Sequence, residues 1–259
     1  MHNVRTGSGK PLVLVHGLGS SFRNWDPIVP ALSAERQVIA VDLPGFGRTP
    51  PLPEVTIATL TDALREFLDA EGLSDADVVG SSMGARMVLE LARRGHRGTV
   101  VSLDSGGFWN DTQVKVFGAS ITASVALVSR IQPLLPFVTG NAVTRTLALA
   151  QFSAAPWKLP QELVLRELRG FSDEASPSLS AARKALIHGP RQEGAPRGSL
   201  QGKVVIGWGR QDKVTLPSEA KVAMERFPDA ELHWFDKCGH FPHWDQPEQT
   251  SALILRACA

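Results

Sequence analysis

Four short apolar runs punctuate the first 104 positions, and each stops at a turn former: residues 12–15 at His16-Gly17, 38–41 at Asp42, 76–79 at Gly80 and 99–103 at Asp104. They are short, rich in β-branched side chains and apolar at consecutive positions, which is the pattern of strands buried on both faces. Amphipathic stretches separate them at 21–33, 57–71 and 83–94, the second placing Leu60, Leu64, Phe67 and Leu68 on one helical stripe. Strand and helix in repetition predict an α/β fold, with a mostly parallel sheet flanked by helices.

The alternation returns late, with strands at 203–208 and 231–235 and helices at 217–226 and 243–257. From Gly107 to about Leu200 the text differs, running as amphipathic segments broken by Pro133, Pro136, Pro156, Pro160, Pro177, Pro190 and Pro196. Loops at the C-terminal ends of parallel strands carry ligands, so an insertion there reads as a helical cap over the ligand edge. The expected division is a core of residues 1–106 and 196–259 with a helical cap insertion at 107–195. A separate second domain is disfavoured because the chain resumes the same alternation afterwards.

Composition narrows the partners. With 27 Lys plus Arg against 26 Asp plus Glu, the formal charge is +1, too little to hold nucleic acid or an anionic membrane by a global field. Hydrophobic residues at 43% and charged residues at 20% are ordinary for a folded chain. The two cysteines, Cys238 and Cys258, form no disulfide framework and no paired metal-ligand spacing, which fits a reducing compartment. The first ten residues lack the apolar core of a secretory signal, and no run approaches the roughly 18 apolar residues of a membrane span. The expectation is a cytoplasmic protein, monomer or homodimer, acting on a small molecule.

Gly80-Ser81-Ser82-Met83-Gly84 is a G-x-S-x-G placed directly after an expected strand and before an expected helix. A strand-to-helix turn this tight strains its central residue, and the flanking glycines remove side chains that would collide. Ser82 Oγ is then presented at the apex, with the positive end of the helix behind it where acyl transfer develops negative charge. Ser81 is the inert neighbour. A serine hydroxyl needs a base, so a histidine and an orienting carboxylate must come from elsewhere in the chain.

With that motif, the turns His16-Gly17-Leu18-Gly19 and Asp42-Leu43-Pro44-Gly45-Phe46-Gly47, and two late motifs, the chain resembles the α/β-hydrolase superfamily over nearly its whole length, as a serine carboxylesterase-like member with a helical cap. The resemblance implies the order nucleophile, acid, histidine. Within Trp208-Gly209-Arg210-Gln211-Asp212-Lys213-Val214 it makes Asp212 the acid, and within Lys237-Cys238-Gly239-His240-Phe241-Pro242-His243-Trp244 it makes His240 the base. Asp104 is a rival acid, since some superfamily members place the carboxylate after that strand; otherwise it is a turn or cap aspartate. The resemblance also implies an oxyanion hole made by the Leu18 and Met83 N–H groups, each worth about 3 kcal/mol. His16 is read as a buried brace for its loop, Asp42 as structural, His233 as a strand residue, His243 as capping or solvent-facing, and Cys238 as packing beside the histidine loop. No dinucleotide, phosphate-loop, zinc or calcium motif occurs, so neither a cofactor nor a metal is expected. Only eleven residues precede Leu12, room for one extra strand, so the sheet is expected to fall short of the superfamily's usual eight.

A serine nucleophile disfavours the dehalogenase and epoxide-hydrolase chemistries that use aspartate there. The expected reaction is hydrolysis of carboxylic esters with small to medium apolar acyl groups, through an acyl-enzyme. The cap's apolar residues, Phe117, Val125, Leu127, Val128, Ile131, Leu134, Leu135, Phe137 and Val138 with Phe108 and Trp109 at its entry, are read as its own core, with some left to line the pocket. Alternatives are a carbon–carbon hydrolase of the meta-cleavage type, whose His-Gly-x-Gly-Pro-Gly turn Gly17-Leu18-Gly19-Ser20 does not match, a cofactor-free perhydrolase, and a hydrolase-fold binding protein with incidental turnover.

Overall fold

In the computed structural model, which describes residues 1–259, the apolar runs are strands of one seven-stranded sheet. In chain order they are β1 (Asn3–Thr6), β2 (Pro11–Val15), β3 (Gln37–Val41), β4 (Asp77–Ser81), β5 (Val100–Leu103), β6 (Val204–Gly209) and β7 (Glu231–Phe235). Across the sheet the order is β1-β3-β2-β4-β5-β6-β7, and every neighbouring pair is parallel except β1 with β3. The one strand before Leu12 is therefore an antiparallel edge.

Every residue of β4, β5 and β6 is buried, which is why these strands read as largely apolar runs, with Asp77, Ser81 and Ser102 as the polar exceptions. Successive side chains point to opposite faces. Val13, Val15, Ile39, Val78, Val100 and Val204 belong to one core with α2 (Ile57–Ala70) and α3 (Met83–Arg93). Leu12, Leu14, Val38, Val79, Val101 and Val205 belong to the other, with α1 (Val29–Ser33) and α11 (Pro247–Ala257). The helix over 57–71 starts where a reciprocal cap satisfies its first N–H groups: Thr56 Oγ1 accepts from Thr59 N–H at 3.0 Å, and Thr59 Oγ1 from Thr56 N–H at 2.9 Å.

Two expected helices are split. The segment 21–33 is a 3-10 turn at Phe22–Trp25 followed by α1, and 243–257 is α10 (Pro242–Asp245) followed by α11. Proline marks both breaks, since Pro27 and Pro247 lack a donor; at the second, Gln246 lies outside the helical region at φ −137° and ψ 57°, whereas Asp26 before Pro27 stays helical at φ −46° and ψ −38°. The helix α9 (Glu219–Arg226) joins β6 to β7.

Between β5 and β6 the chain forms five helices, α4 (Asp111–Arg130), α5 (Leu135–Gly140), α6 (Ala142–Leu149), α7 (Gln161–Arg169) and α8 (Leu179–His188). The first, α4, buries Val114, Phe117, Gly118 and Ile121 and leaves Val116 and Leu127 exposed. Its 20 residues, with a mean hydropathy of 1.2 over 18 of them, reach the length and composition of a membrane-crossing helix, which amends the reading that no run approaches one. It was hidden because Ser and Thr interrupt its apolar text.

At the N-terminal edge of the parallel strands Arg36 joins three segments. Its Nη2 donates to Asp77 Oδ2 at 2.5 Å and to the Pro11 carbonyl at 3.0 Å, and its Nη1 to the Cys258 carbonyl at 2.8 Å. Burial acts to raise the Asp77 carboxyl, but hydrogen bonds from Arg36, the Thr99 N–H and Lys10 outweigh it and hold the group below the usual carboxylate range. The stabilisation is therefore present above the unfolded pKa and lost as pH falls through the depressed folded value. Arg36→Ala leaves Asp77 without its buried partner and is expected to cost about 3 kcal/mol in urea unfolding at pH 7, with a smaller difference from wild type at pH 3.

Candidate active site

Where β4 meets α3, Ser82 adopts φ 55° and ψ −112°, a backbone conformation that L side chains avoid. Both flanking glycines are sterically required. A Cβ at Gly80 would collide with the Gly84 carbonyl, and one at Gly84 with the carbonyl oxygens of Val15 and His16. The first turn of α3 thus sits directly on the end of β2. Ser82 N–H donates to the Leu103 carbonyl at 2.9 Å, fixing the turn to β5.

The loops after β6 and β7 bring two more groups to the same edge. His240 Nε2 lies 2.8 Å from Ser82 Oγ, and His240 Nδ1 lies 2.8 Å from Asp212 Oδ2. Asp212 also accepts from Val214 N–H at 2.7 Å, Thr215 N–H at 3.1 Å and Thr215 Oγ1 at 2.7 Å. A carboxylate surrounded by donors acts as an acceptor, so Nδ1 carries the imidazole proton and Nε2 is left to accept from the serine hydroxyl. His240 is held from the cap side as well, its N–H donating to the Phe152 carbonyl at 2.8 Å. Asp245 locks the same joint, accepting from Gly239 N–H at 2.7 Å, Ala154 N–H at 2.8 Å and Ser153 Oγ at 2.5 Å. Nothing in the residue pattern marked Asp245, because two of its three partners, Ser153 and Ala154, lie 92 and 91 positions away in the cap.

Asp104, the rival acid, also reaches the cluster. It sits at φ 49°, and its Oδ1 accepts from Gly209 N–H at 2.8 Å while Oδ2 has no partner. Burial, reinforced by the neighbouring Asp212 charge, pushes its carboxyl well above the usual range. The oxygen bonded to the imidazole belongs to Asp212. Asp104, Asp212 and His240 are also the three groups close enough to share a metal ion, but Asp212 and His240 are already engaged by each other, Ser82, Val214 and Thr215.

The turn after β2 faces the serine, since a Cβ on Gly17 would stand 3.1 Å from Ser82 Cβ. Leu18 N–H donates to no backbone or side-chain acceptor, and Met83 opens α3, where the first N–H groups have no partner within the helix. His16 is buried and braces this turn: Nε2 accepts from Leu43 N–H at 3.0 Å, which leaves Nδ1 to donate to the Gly17 carbonyl at 2.7 Å. Burial pushes its pKa down, so the brace is neutral. Asp42 is likewise internal, accepting from Phe22 and Arg48 N–H groups.

His243 departs from expectation. Rather than capping or facing solvent, it is fully buried, its Nε2 2.6 Å from Asn24 Oδ1, and burial pulls its pKa down to about 3. Packing of Trp25 against the ring, with centroids 4.5 Å apart, leaves it no route to water. Cys238 is buried and its thiol is pushed up by burial, which suits a packing role.

The cavity over Ser82 is walled by Leu18, Phe117, Ile121, Phe152, Phe171, Leu186, Val214 and Phe241, with His240 as its single titratable side chain. Of the cap residues singled out by their apolar text only Phe117 lines it, and Leu127, Leu134 and Phe137 are 59%, 59% and 77% exposed. Apolar spacing marks a helix stripe but does not say whether that stripe meets the site, the cap's own interior or solvent. The cavity has about 20 Å³ of free space, enough for about one water. A molecule larger than water fits over Ser82 only when the aromatic walls turn aside or the cap shifts.

Among proteins of known sequence, this chain is 30% identical over 254 residues to the dihydrolipoyllysine-residue acetyltransferase component of the acetoin cleaving system of Pseudomonas putida, covering 95% of this chain and 63% of that protein, so it spans less than two thirds of that relative. It is 27% identical over 270 residues to 2-hydroxy-6-oxononadienedioate/2-hydroxy-6-oxononatrienedioate hydrolase 1 of Dechloromonas aromatica, covering 98% and 89%. Among solved structures it superposes on an esterase from Exiguobacterium antarcticum with a TM-score of 0.77 and 17% identity, covering 100% and 95%, a likeness of fold. The model of the alpha/beta hydrolase family matches residues 12–253, from the first residues of β2 to α11 and including Ser82, Asp212 and His240, and the chain belongs to that family.

Proposed function

We propose that the protein is a serine esterase for carboxylic esters of small to medium, largely apolar acyl groups. The observation that carries this reading is the single imidazole placed 2.8 Å from both Ser82 Oγ and Asp212 Oδ2. As Ser82 Oγ attacks the ester carbonyl, its proton passes to His240 Nε2, and Asp212 stabilises the imidazolium. The oxyanion is received by the Leu18 and Met83 N–H groups. His240 then protonates the departing alcohol, and a water deprotonated by the same nitrogen releases the acid from Ser82. The walls support the substrate class, because they offer apolar surface and no Lys or Arg to pair with an anion.

Carbon–carbon bond hydrolysis is the second reading, favoured by the name of the Dechloromonas relative. The substrate in that name is a dioate, and two carboxylates would enter an apolar cavity whose neighbouring wall holds a further carboxyl, that of Glu167, and no Lys or Arg.

p-Nitrophenyl butyrate is expected to be hydrolysed at least about 10³-fold faster by wild type than by Ser82→Ala. Equal rates would leave a binding protein instead, and faster cleavage of a dienedioate ring-fission product than of short esters would reverse the order of the two readings. The two acids separate in the same assay. Asp212→Asn removes the acceptor of the imidazole N–H and is expected to lower kcat by about 10³ to 10⁴. Asp104→Asn, which touches no imidazole nitrogen, should lower it less than about tenfold.

A further inference from the structure

A carboxylate from the cap stands in a second cavity beside the Ser82 site. Glu167, on the inner face of α7, is 5% exposed, and its Oε2 accepts from Ser20 Oγ at 2.6 Å and from Asn24 Nδ2 at 2.8 Å. The orientation of Asn24 is fixed from behind, because its Oδ1 is taken by His243 Nε2. Both donors converge on one oxygen. Glu167 Oε1 accepts from no protein group, yet it is not among the sealed polar atoms, and the residue lines a cavity with Gly17, Leu18, Leu149, Phe152, Phe171 and Phe241. Leu18, Phe152, Phe171 and Phe241 are shared walls with the cavity over Ser82, so the two spaces adjoin through those side chains.

No cation forms an ion pair with this carboxyl: Arg166, whose charge acts on it, directs its guanidinium to Asp26 Oδ2 at 2.8 Å and the Arg23 carbonyl at 3.0 Å. A tie between cap and core alone would not leave one carboxylate oxygen open inside an apolar chamber, since such a group is costly to bury without a donor. We propose that Glu167 is a specificity-determining residue that receives a hydrogen-bond donor, best an ammonium, at the far end of an ester whose carbonyl lies at Ser82. The proposal rests on the esterase reading and names its preferred substrate class: esters ending in a primary amine in preference to apolar ones, with esters ending in a carboxylate disfavoured. Burial raises the Glu167 carboxyl to about 7, against hydrogen bonds from Ser20 and Asn24 and the Arg166 charge, while Asp26 adds to the rise. At pH 8 it is mostly ionised, with His243 neutral behind Asn24.

The test uses three esters of matched length, ethyl 6-aminohexanoate, ethyl heptanoate and monoethyl adipate, and a second trio carrying the same ends on the alcohol side of a butyrate. At pH 8 kcat/KM is expected to fall from amine to methyl to carboxylate in one of the trios, with about tenfold or more between amine and methyl. Glu167→Gln keeps an acceptor for Ser20 and Asn24 but presents an amide to the cavity, and it is expected to bring the amine-to-methyl ratio to about one or below. A loss of activity common to all three esters would leave that ratio unchanged, so structural loosening is told apart. Calorimetric binding of the same esters to Ser82→Ala protein reads the subsite without turnover and is expected to give the same order of Kd. Failure of the methyl-terminated esters, ethyl heptanoate and the corresponding alkyl butyrate, to turn over would count against the esterase reading alone. Equal Kd values across both trios, or an order that survives Glu167→Gln, would overturn the role of Glu167.

Discussion

Everything at the proposed catalytic edge depends on how closely α3 is seated on the end of β2. Gly84 lies against the carbonyls of Val15 and His16, and Gly80 against the carbonyl of Gly84, with space for hydrogen atoms and nothing larger. That seat forces Ser82 into its strained conformation, of order 1–3 kcal/mol, and aims its hydroxyl out of the sheet. It also sets the open N–H groups of α3 beside the turn at Gly17 and Leu18. One steric constraint therefore positions both the proposed nucleophile and the proposed acceptor of negative charge.

The cap is more than a cover. Its Phe152 carbonyl holds the His240 backbone, and Asp245 ties the loops at 153–154 and 239 together, so the imidazole is oriented by sheet loops on one side and by the cap on the other. Its aromatic side chains close the cavity to about 20 Å³. Phe152 thus holds the His240 backbone and also walls the cavity, so the cap residue that fixes the imidazole loop also shapes the space over Ser82.

Burial also sorts the acids by role. Asp212 is surrounded by donors and presents an oxygen to the imidazole, whereas Asp104, a few ångströms away, is pushed upward by burial and by the Asp212 charge. Glu167 and Glu219 are raised to about 7 and about 8 for the same reason. Val214 N–H, Thr215 N–H and Thr215 Oγ1 all donate to the Asp212 carboxylate, whereas the Asp104 carboxyl receives one donor, Gly209 N–H.

Local chemistry wrote much of this into the chain. The strands were legible because residues buried on both faces must be largely apolar at consecutive positions, and the Ser82 turn because its glycines have no substitute; His240 and Asp212 were legible through the family resemblance of their motifs. What the residues left open was set by partners distant in sequence. Whether Asp104 or Asp212 meets the imidazole is decided by the path of the loop after β6, and the burial of His243 by Trp25 and Asn24 more than 200 positions earlier. Phe152, Phe171 and Glu167 carry no local mark of the site, since apolar or charged text on a cap helix is equally consistent with interior, surface or pocket. Only the docking of cap on sheet chooses among those, because it alone determines which side chains share a cavity.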